Sequence, residues 1–183
     1  MMPRVLGSLF GRLATFTMLA LVLGGCTIYL TDGETSVRTS VRGRITFGVP
    51  LQDVITRFTP SRGVGANYRV GESIAFDIRT TSDGYVTLTS IDPDGFVHTF
   101  ARNIFVSGGT THTIEGPDRR HIFTVEPPRG LLRIRASFTS GRTDTSRVSY
   151  RDQRGEEAWT QSISVDVRPY DTRDVVETHI YVR

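Results

Sequence analysis

Over residues 73–80 the chain alternates, with Ile74, Phe76 and Ile78 on one side and Ser73, Ala75, Asp77 and Arg79 on the other. A side-chain period of two belongs to a half-buried β-strand and not to a helix, whose period is 3.6. The pattern continues after a Ser82-Asp83-Gly84 turn, where Tyr85, Thr87, Thr89 and Ile91 alternate with Val86, Leu88 and Ser90. Asp92-Pro93-Asp94-Gly95 then closes a hairpin, with Pro fixing φ and Gly accepting a positive φ, and 96–100 returns. Further strands are expected over 110–114, 121–125 and 132–138, separated by Gly116-Pro117-Asp118 and Pro127-Pro128-Arg129-Gly130. In the last of these Leu132, Ile134, Ala136 and Phe138 face inward, leaving Arg133 and Arg135 outward.

Weaker signals flank this block. Ile45-Thr46-Phe47 and residues 54–58 read as short strands, and Tyr68-Arg69-Val70-Gly71-Glu72 as a strand entry with a turn. Residues 141–157 are polar and irregular, a long loop. Two more strands, 160–167 and 175–182, are expected around an Arg168-Pro169-Tyr170-Asp171 turn. No segment after residue 25 shows a convincing helical period. Short strands punctuated by Gly, Pro and Asp predict an all-β, antiparallel sandwich spanning 44–183.

Upstream of that domain stands the chain's single cysteine, Cys26, at the end of Leu23-Gly24-Gly25-Cys26. Arg4 and Arg12 precede an apolar run over 13–23, and an apolar core of about 7–15 residues marks a secretory signal rather than a span. Leu, two small residues and Cys fit a lipoprotein signal-peptidase site, with Leu23, Gly24 and Gly25 as its recognition residues. The expectation is a signal over 1–25, lipidation of Cys26, and a flexible tether over 26–43 rich in Thr, Ser, Gly and Arg. The competing reading, an uncleaved anchor, is disfavoured because Gly24-Gly25 weakens a helix and the stretch is short for a ~30 Å hydrocarbon core. Thr27, in place of an acidic residue, permits transport to an outer membrane where the organism has one.

Charge narrows the function classes. All 22 basic residues are Arg and none is Lys. The signal holds two of them and none of the 19 acidic residues, so the remaining chain is near neutral, with Arg interleaved among Asp and Glu. A nucleic-acid footprint needs clustered positive charge, so nucleic acid is not expected as a partner. With its only Cys lipidated the chain forms no internal disulfide, and without Lys or a free Cys it offers neither Schiff-base nor thiol chemistry.

The remaining constellations are thin. Asp92-Pro93-Asp94-Gly95 lacks the further oxygen ligands and distal Glu of a calcium loop and reads as turn chemistry. His98, His112, His121 and His179 show no ligand spacing, though His98 and His112 could meet across strands. No nucleophile elbow or phosphate-cradling loop is present, so neither an enzyme nor a cofactor is expected. Arg119-Arg120-His121 and Arg133-x-Arg135 read as solvated faces paired with acids. Arg133 and Arg135 are nonetheless the candidate binding face for an anionic polymer. Tyr85, Phe96, Phe100 and Phe105, which could form a stacking platform for sugars, read as core.

Tyr68-Arg69-Val70-Gly71-Glu72, Asp83-Gly84-Tyr85-Val86-Thr87-Leu88, Ile91-Asp92-Pro93-Asp94-Gly95 and Pro127-Pro128-Arg129-Gly130 together resemble the bacterial domain of unknown function 4384 family, over about 68–140. Trp159-Thr160 and the closing Glu177-Thr178-His179-Ile180-Tyr181-Val182 look like the tail of a secreted version. Members typically carry Phe-Pro-Asn after the hairpin, where this chain has Phe100-Ala101-Arg102-Asn103. The resemblance implies an immunoglobulin-like sandwich at the cell surface and no established activity. The expected function is a lipid-anchored envelope module, structural or protein-binding, attached to the membrane through its lipid. Its alternatives are a receptor for an envelope glycan or polymer and an accessory lipoprotein of a secretion or transport assembly.

Overall fold

The structure, a computed structural model, describes residues 47–183 apart from 119, 145 and 147. The expected signal over 1–25, its recognition residues Leu23, Gly24 and Gly25, Cys26 and the expected tether over 26–43 therefore lie outside the described residues, as do Ile45 and Thr46. Ten strands and one helix follow in the order β1 (Ile55–Pro60), β2 (Asn67–Tyr68), β3 (Ser73–Ile74), β4 (Phe76–Thr80), β5 (Gly84–Ile91), β6 (Val97–Val106), β7 (Thr111–Ile114), β8 (Phe123–Thr124), β9 (Gly130–Thr139), α1 (Glu156–Val167) and β10 (Arg173–Val182). They build a three-stranded sheet, β1-β4-β7, facing a five-stranded sheet, β2-β10-β9-β5-β6, with a two-stranded pair, β3-β8, beside them. Every pairing is antiparallel except that of β2 with β10.

The alternating pattern dictates what lies between the sheets. Phe58, Phe76, Ile78 and Ile114 of the small sheet meet Val86, Leu88, Ile134, Phe138 and Ile180 of the large one in a single apolar cluster. Phe76, Leu88, Ile134 and Phe138, expected inside from strand phase, are all essentially inaccessible. Within the large sheet the Phe138 ring of β9 folds over Gly84 of the neighbouring β5 so closely that a Cβ there would lie 2.3 Å from it, which only a glycine avoids.

The stretch 73–80 is two strands rather than one. The period is unbroken, but at Ala75 the chain changes partners. Ile74 pairs with Phe123 of β8, whereas Phe76 pairs with Ile114 of β7. The Ala75 carbonyl, released from either ladder, accepts the Ser61 N–H at 2.8 Å. Periodicity reports which face is buried and is silent about which strand lies alongside. The departure at Phe100-Ala101-Arg102-Asn103 also has a structure. Leu88 pairs with Ala101 and Val86 with Ile104, so Arg102 and Asn103 form a bulge, with Asn103 at φ 56°.

The expected strand over 160–167 is a helix, α1. Ile163, Val165 and Val167 alternate as a strand would, yet Ile163 and Val167 are wholly buried and Val165 is 40% exposed. Trp159, Ile163 and Val167, four apart, form the buried stripe. Gly155 opens the helix at φ 89° without a side-chain cap, and Glu156 and Glu157 stand in the first turn, where carboxylates suit the helix dipole. Together with Phe47, Val148 and Tyr150, α1 covers the outer face of the large sheet against Ile91, Val97 and Val175. The molecule is thus a sandwich with a third layer.

Candidate functional site

Arg133 and Arg135, the candidate binding face, point outward from the sandwich as their strand phase demands. Arg135 does not face solvent, and Arg133 is only part-exposed. Residue 133 pairs with His179 and 135 with Glu177 across β9 and β10, and α1 lies over them. Arg135 is completely buried. Its guanidinium lies 3.7 Å from the centroid of the Trp159 ring, with Phe47 on another side at 5.5 Å. Its Nε donates to Glu177 at 2.8 Å, its Nη1 to the Thr160 hydroxyl at 2.9 Å and its Nη2 to Glu156. Arg133 grips Glu177 through Nε at 2.7 Å and Nη2 at 2.8 Å and also donates to Glu156.

Two arginines and two glutamates thus satisfy one another. Burial works against charge on Arg133 and Glu156. Even so, their mutual bonds win, holding the Glu156 carboxyl below the usual carboxylate range and the Arg133 guanidinium above its own. An anionic polymer would have to displace these carboxylates and α1 itself. The two arginines are a mortar between layers, and the reading of them as a binding face is corrected accordingly.

A second buried charge anchors the loop before α1. Asp166, nearly inaccessible, accepts from Arg102 at 2.6 Å and from the Tyr150 hydroxyl at 3.1 Å. The bulge in β6 aims Arg102 this way, and Asn103 beside it donates to the Thr143 carbonyl at 2.9 Å and accepts the Thr143 N–H at 2.7 Å. Burial raises the Asp166 pKa more than the Arg102 charge and the Tyr150 bond lower it. Burial, helped by the Asp166 charge, also pushes the Tyr150 hydroxyl up.

A concave feature lies elsewhere among the described residues, where β3, β8, Pro117 and residues 121–128 meet residues of the two larger sheets. They leave a cleft of about 400 Å³, within the range of small-ligand and side-chain pockets. Its floor is aromatic. Phe100 and Phe123 meet edge to face with centroids 5.1 Å apart, and Phe76 lies 5.9 Å from Phe100 and 6.1 Å from Phe123. Ile122, 63% exposed, stands at the wall. Gly116 shapes that wall, since a Cβ there would fall 1.5 Å from the His121 carbonyl oxygen. The polar groups of the cleft include Asp92, His98, His121 and Glu126.

Asp92 does more than turn the hairpin. One carboxylate oxygen accepts the Phe96 N–H at 2.8 Å and the other lies 3.0 Å from His98 Nε2. Ser90 sits opposite His98 in the ladder, but among the described residues no hydrogen bond joins the two side chains, so no nucleophile is coupled to this Asp-His pair. His98 and His112 do not converge: His112 sits in the small sheet and bonds through Nε2 to the Ser107 backbone at 2.9 Å. His121 bonds to Asp118. No group of three or more His, Cys, Asp or Glu residues is brought together for a metal among the described residues.

The four aromatics of the sugar-platform reading also separate. Phe100 lies in the cleft. Tyr85 and Phe105 stack edge to face at 5.6 Å, and Phe96 sits under the Arg154 guanidinium at 4.5 Å. Phe96 and Phe105 are 43% and 54% exposed, so neither is core. Pattern alone could not find the cleft, because its residues come from both sheets and the linking segment. The strand expected over 121–125 is only the two-residue β8, Phe123–Thr124, and Ile122 beside it is exposed at the cleft wall.

Residues 67–142 match the family model of a Domain of unknown function (DUF4384). That segment belongs to the DUF4384 family. It contains all of the cleft except Ile180, whereas β1, α1 and β10 lie outside it. No curated protein and no solved structure matches the chain. The DUF4384 segment is therefore completed by β10, which enters the large sheet between β2 and β9.

Proposed function

We propose that this chain is a lipid-anchored module of the bacterial cell envelope that binds a protein partner through the cleft and does not transform it. The observation that carries the reading is an open cleft with an aromatic floor and an exposed isoleucine at its wall. An exposed Ile beside a preformed apolar hollow suits docking of a partner's side chains. The Leu23-Gly24-Gly25-Cys26 box supports the anchor, and Thr27 supports passage to an outer membrane. Binding without turnover is supported by an Asp-His pair engaged with its own turn and by the lack of a nucleophile bonded to it. The glycan reading loses its arginines to the α1 interface.

The test is photocrosslinking in intact cells of the full chain, with a photoreactive residue at 122 and, as a control, at Val165, exposed on α1 at the other face of the large sheet. A discrete adduct from position 122, absent from 165 and lost when Phe100→Asp fills the cleft with charge, is expected. Adducts of equal yield from both positions, or none from 122, would refute the cleft as the docking site. Cys26→Ser should release the protein from membranes and abolish palmitate labelling, and equal labelling of the two forms would end the lipoprotein reading.

A further inference from the structure

The cleft's electrostatics name the chemistry of its occupant. In a chain with 22 arginines and no lysine, none of the described residues that line the cleft is an arginine; its ionisable groups are Asp92, Glu126, His98 and His121. Elsewhere the described carboxylates are widely matched with guanidinium groups: Asp77 with Arg57, Glu72 with Arg62, Asp166 with Arg102, and Glu156 and Glu177 with Arg133 and Arg135. Asp92 takes a histidine instead, with its side chain only 8% exposed. Glu126 is exposed at the rim.

We infer that the cleft takes a cationic apolar peptide segment: a leucine- or phenylalanine-type side chain on the Phe76, Phe100 and Phe123 floor, with a flanking arginine or lysine at Asp92 and Glu126. Charge complementarity selects this occupant over an acyl chain or an acidic peptide. An acyl chain would leave Glu126 unanswered, and an acidic peptide would be repelled by both carboxylates. The inference deepens the proposed function and rests on the cleft being the docking site.

The probe is an acetylated, amidated tetrapeptide of arginine, leucine, phenylalanine and arginine, compared with a twin carrying glutamate in place of both arginines. Each is titrated into the full-length protein in phosphatidylcholine nanodiscs. The readout is the methyl signals of Ile74, Ile122, Ile134 and Ile180, which line the cleft, with the buried Ile163 of α1 as the fold control. The cationic peptide should shift the four cleft signals and leave Ile163 in place, binding about tenfold or more tightly than its twin, a difference of ~1.4 kcal/mol. Glu126→Gln and Asp92→Asn should each erode that preference. Asn at 92 keeps the oxygen that accepts the Phe96 N–H, and an unmoved Ile163 signal certifies the fold of both variants. Equal affinity for the two peptides, a preference unchanged in both variants, or no shift at millimolar peptide would overturn the inference. In the first two cases a site-specific adduct from position 122 would leave the docking reading standing, so the two failures are distinguishable.

Discussion

The two faces of the large sheet are built from the same strands and solve opposite problems. Toward the small sheet, Val86, Leu88, Ile134, Ala136, Phe138 and Ile180 present a largely apolar surface, interrupted by Ser90 and by Thr178, whose buried hydroxyl has no hydrogen-bond partner. Toward α1, the alternate positions of the same strands present Thr87, Thr89, Arg133, Arg135, Ser137 and Glu177. The inner face needs only exclusion of water. The outer face must give every buried polar atom a partner, and so Trp159 Nε1 donates to the Thr89 hydroxyl at 2.8 Å while Arg135 uses three donors on three residues. The inner face is held by area and the outer one by geometry.

Substitution tests that difference, beginning with the inner face. Phe76→Ala should cost about 3–5 kcal/mol of stability, from lost burial and the cavity left behind, and chemical denaturation would measure it. A loss below ~1 kcal/mol would mean that the inner core is loosely packed. Arg135→Ala on the outer face should cost about 3 kcal/mol, the low end for breaking a buried pair, because Arg133 still compensates Glu177. An unchanged denaturation midpoint would show α1 to be a lid held by its apolar stripe alone. Trp159→Phe deletes the indole donor and leaves a smaller ring in a buried site, so a loss of about 1–3 kcal/mol is expected from the lost hydrogen bond and the cavity together. A larger loss would point to the stacking on Arg135.

The smallest effect is one of slope. Because burial raises the Asp166 pKa above its unfolded value near 3.8, the folded state binds more protons than the unfolded state between the two values. Its contribution is full below the unfolded pKa and is lost as pH rises through the folded one. Asp166→Asn removes that dependence, so the variant should gain stability relative to the parent as pH rises above the unfolded value near 3.8 and through the raised folded one. Parallel stability curves would show that Arg102 holds the carboxylate ionised throughout.

Much of this could be read from the chain. Period-two alternation gave the strands and the buried set Phe76, Leu88, Ile134 and Phe138, and the turn residues gave the hairpin at Asp92. Misreadings arose where a local pattern fits two structures. Ile163, Val165 and Val167 satisfy a strand as well as a helix, and only the packing of Trp159 against the outer face decides between them. Arg133 and Arg135 were placed on the correct side of their strand. What the sequence could not say is that something lies on that side.

The sequence by itself determined the sandwich, because which face of a strand is buried is a local property written at every second residue. Only the tertiary structure decided the partners: that β3 leaves β4 at Ala75, that α1 folds back over two arginines, and that Asp92, Phe100, Ile122 and Glu126 enclose one cleft. Those outcomes depend on contacts between residues far apart in the chain, each locally compatible with other arrangements. They are fixed by the joint requirement to bury apolar surface and to pair buried polar groups, which among the described side chains only the Thr178 hydroxyl escapes.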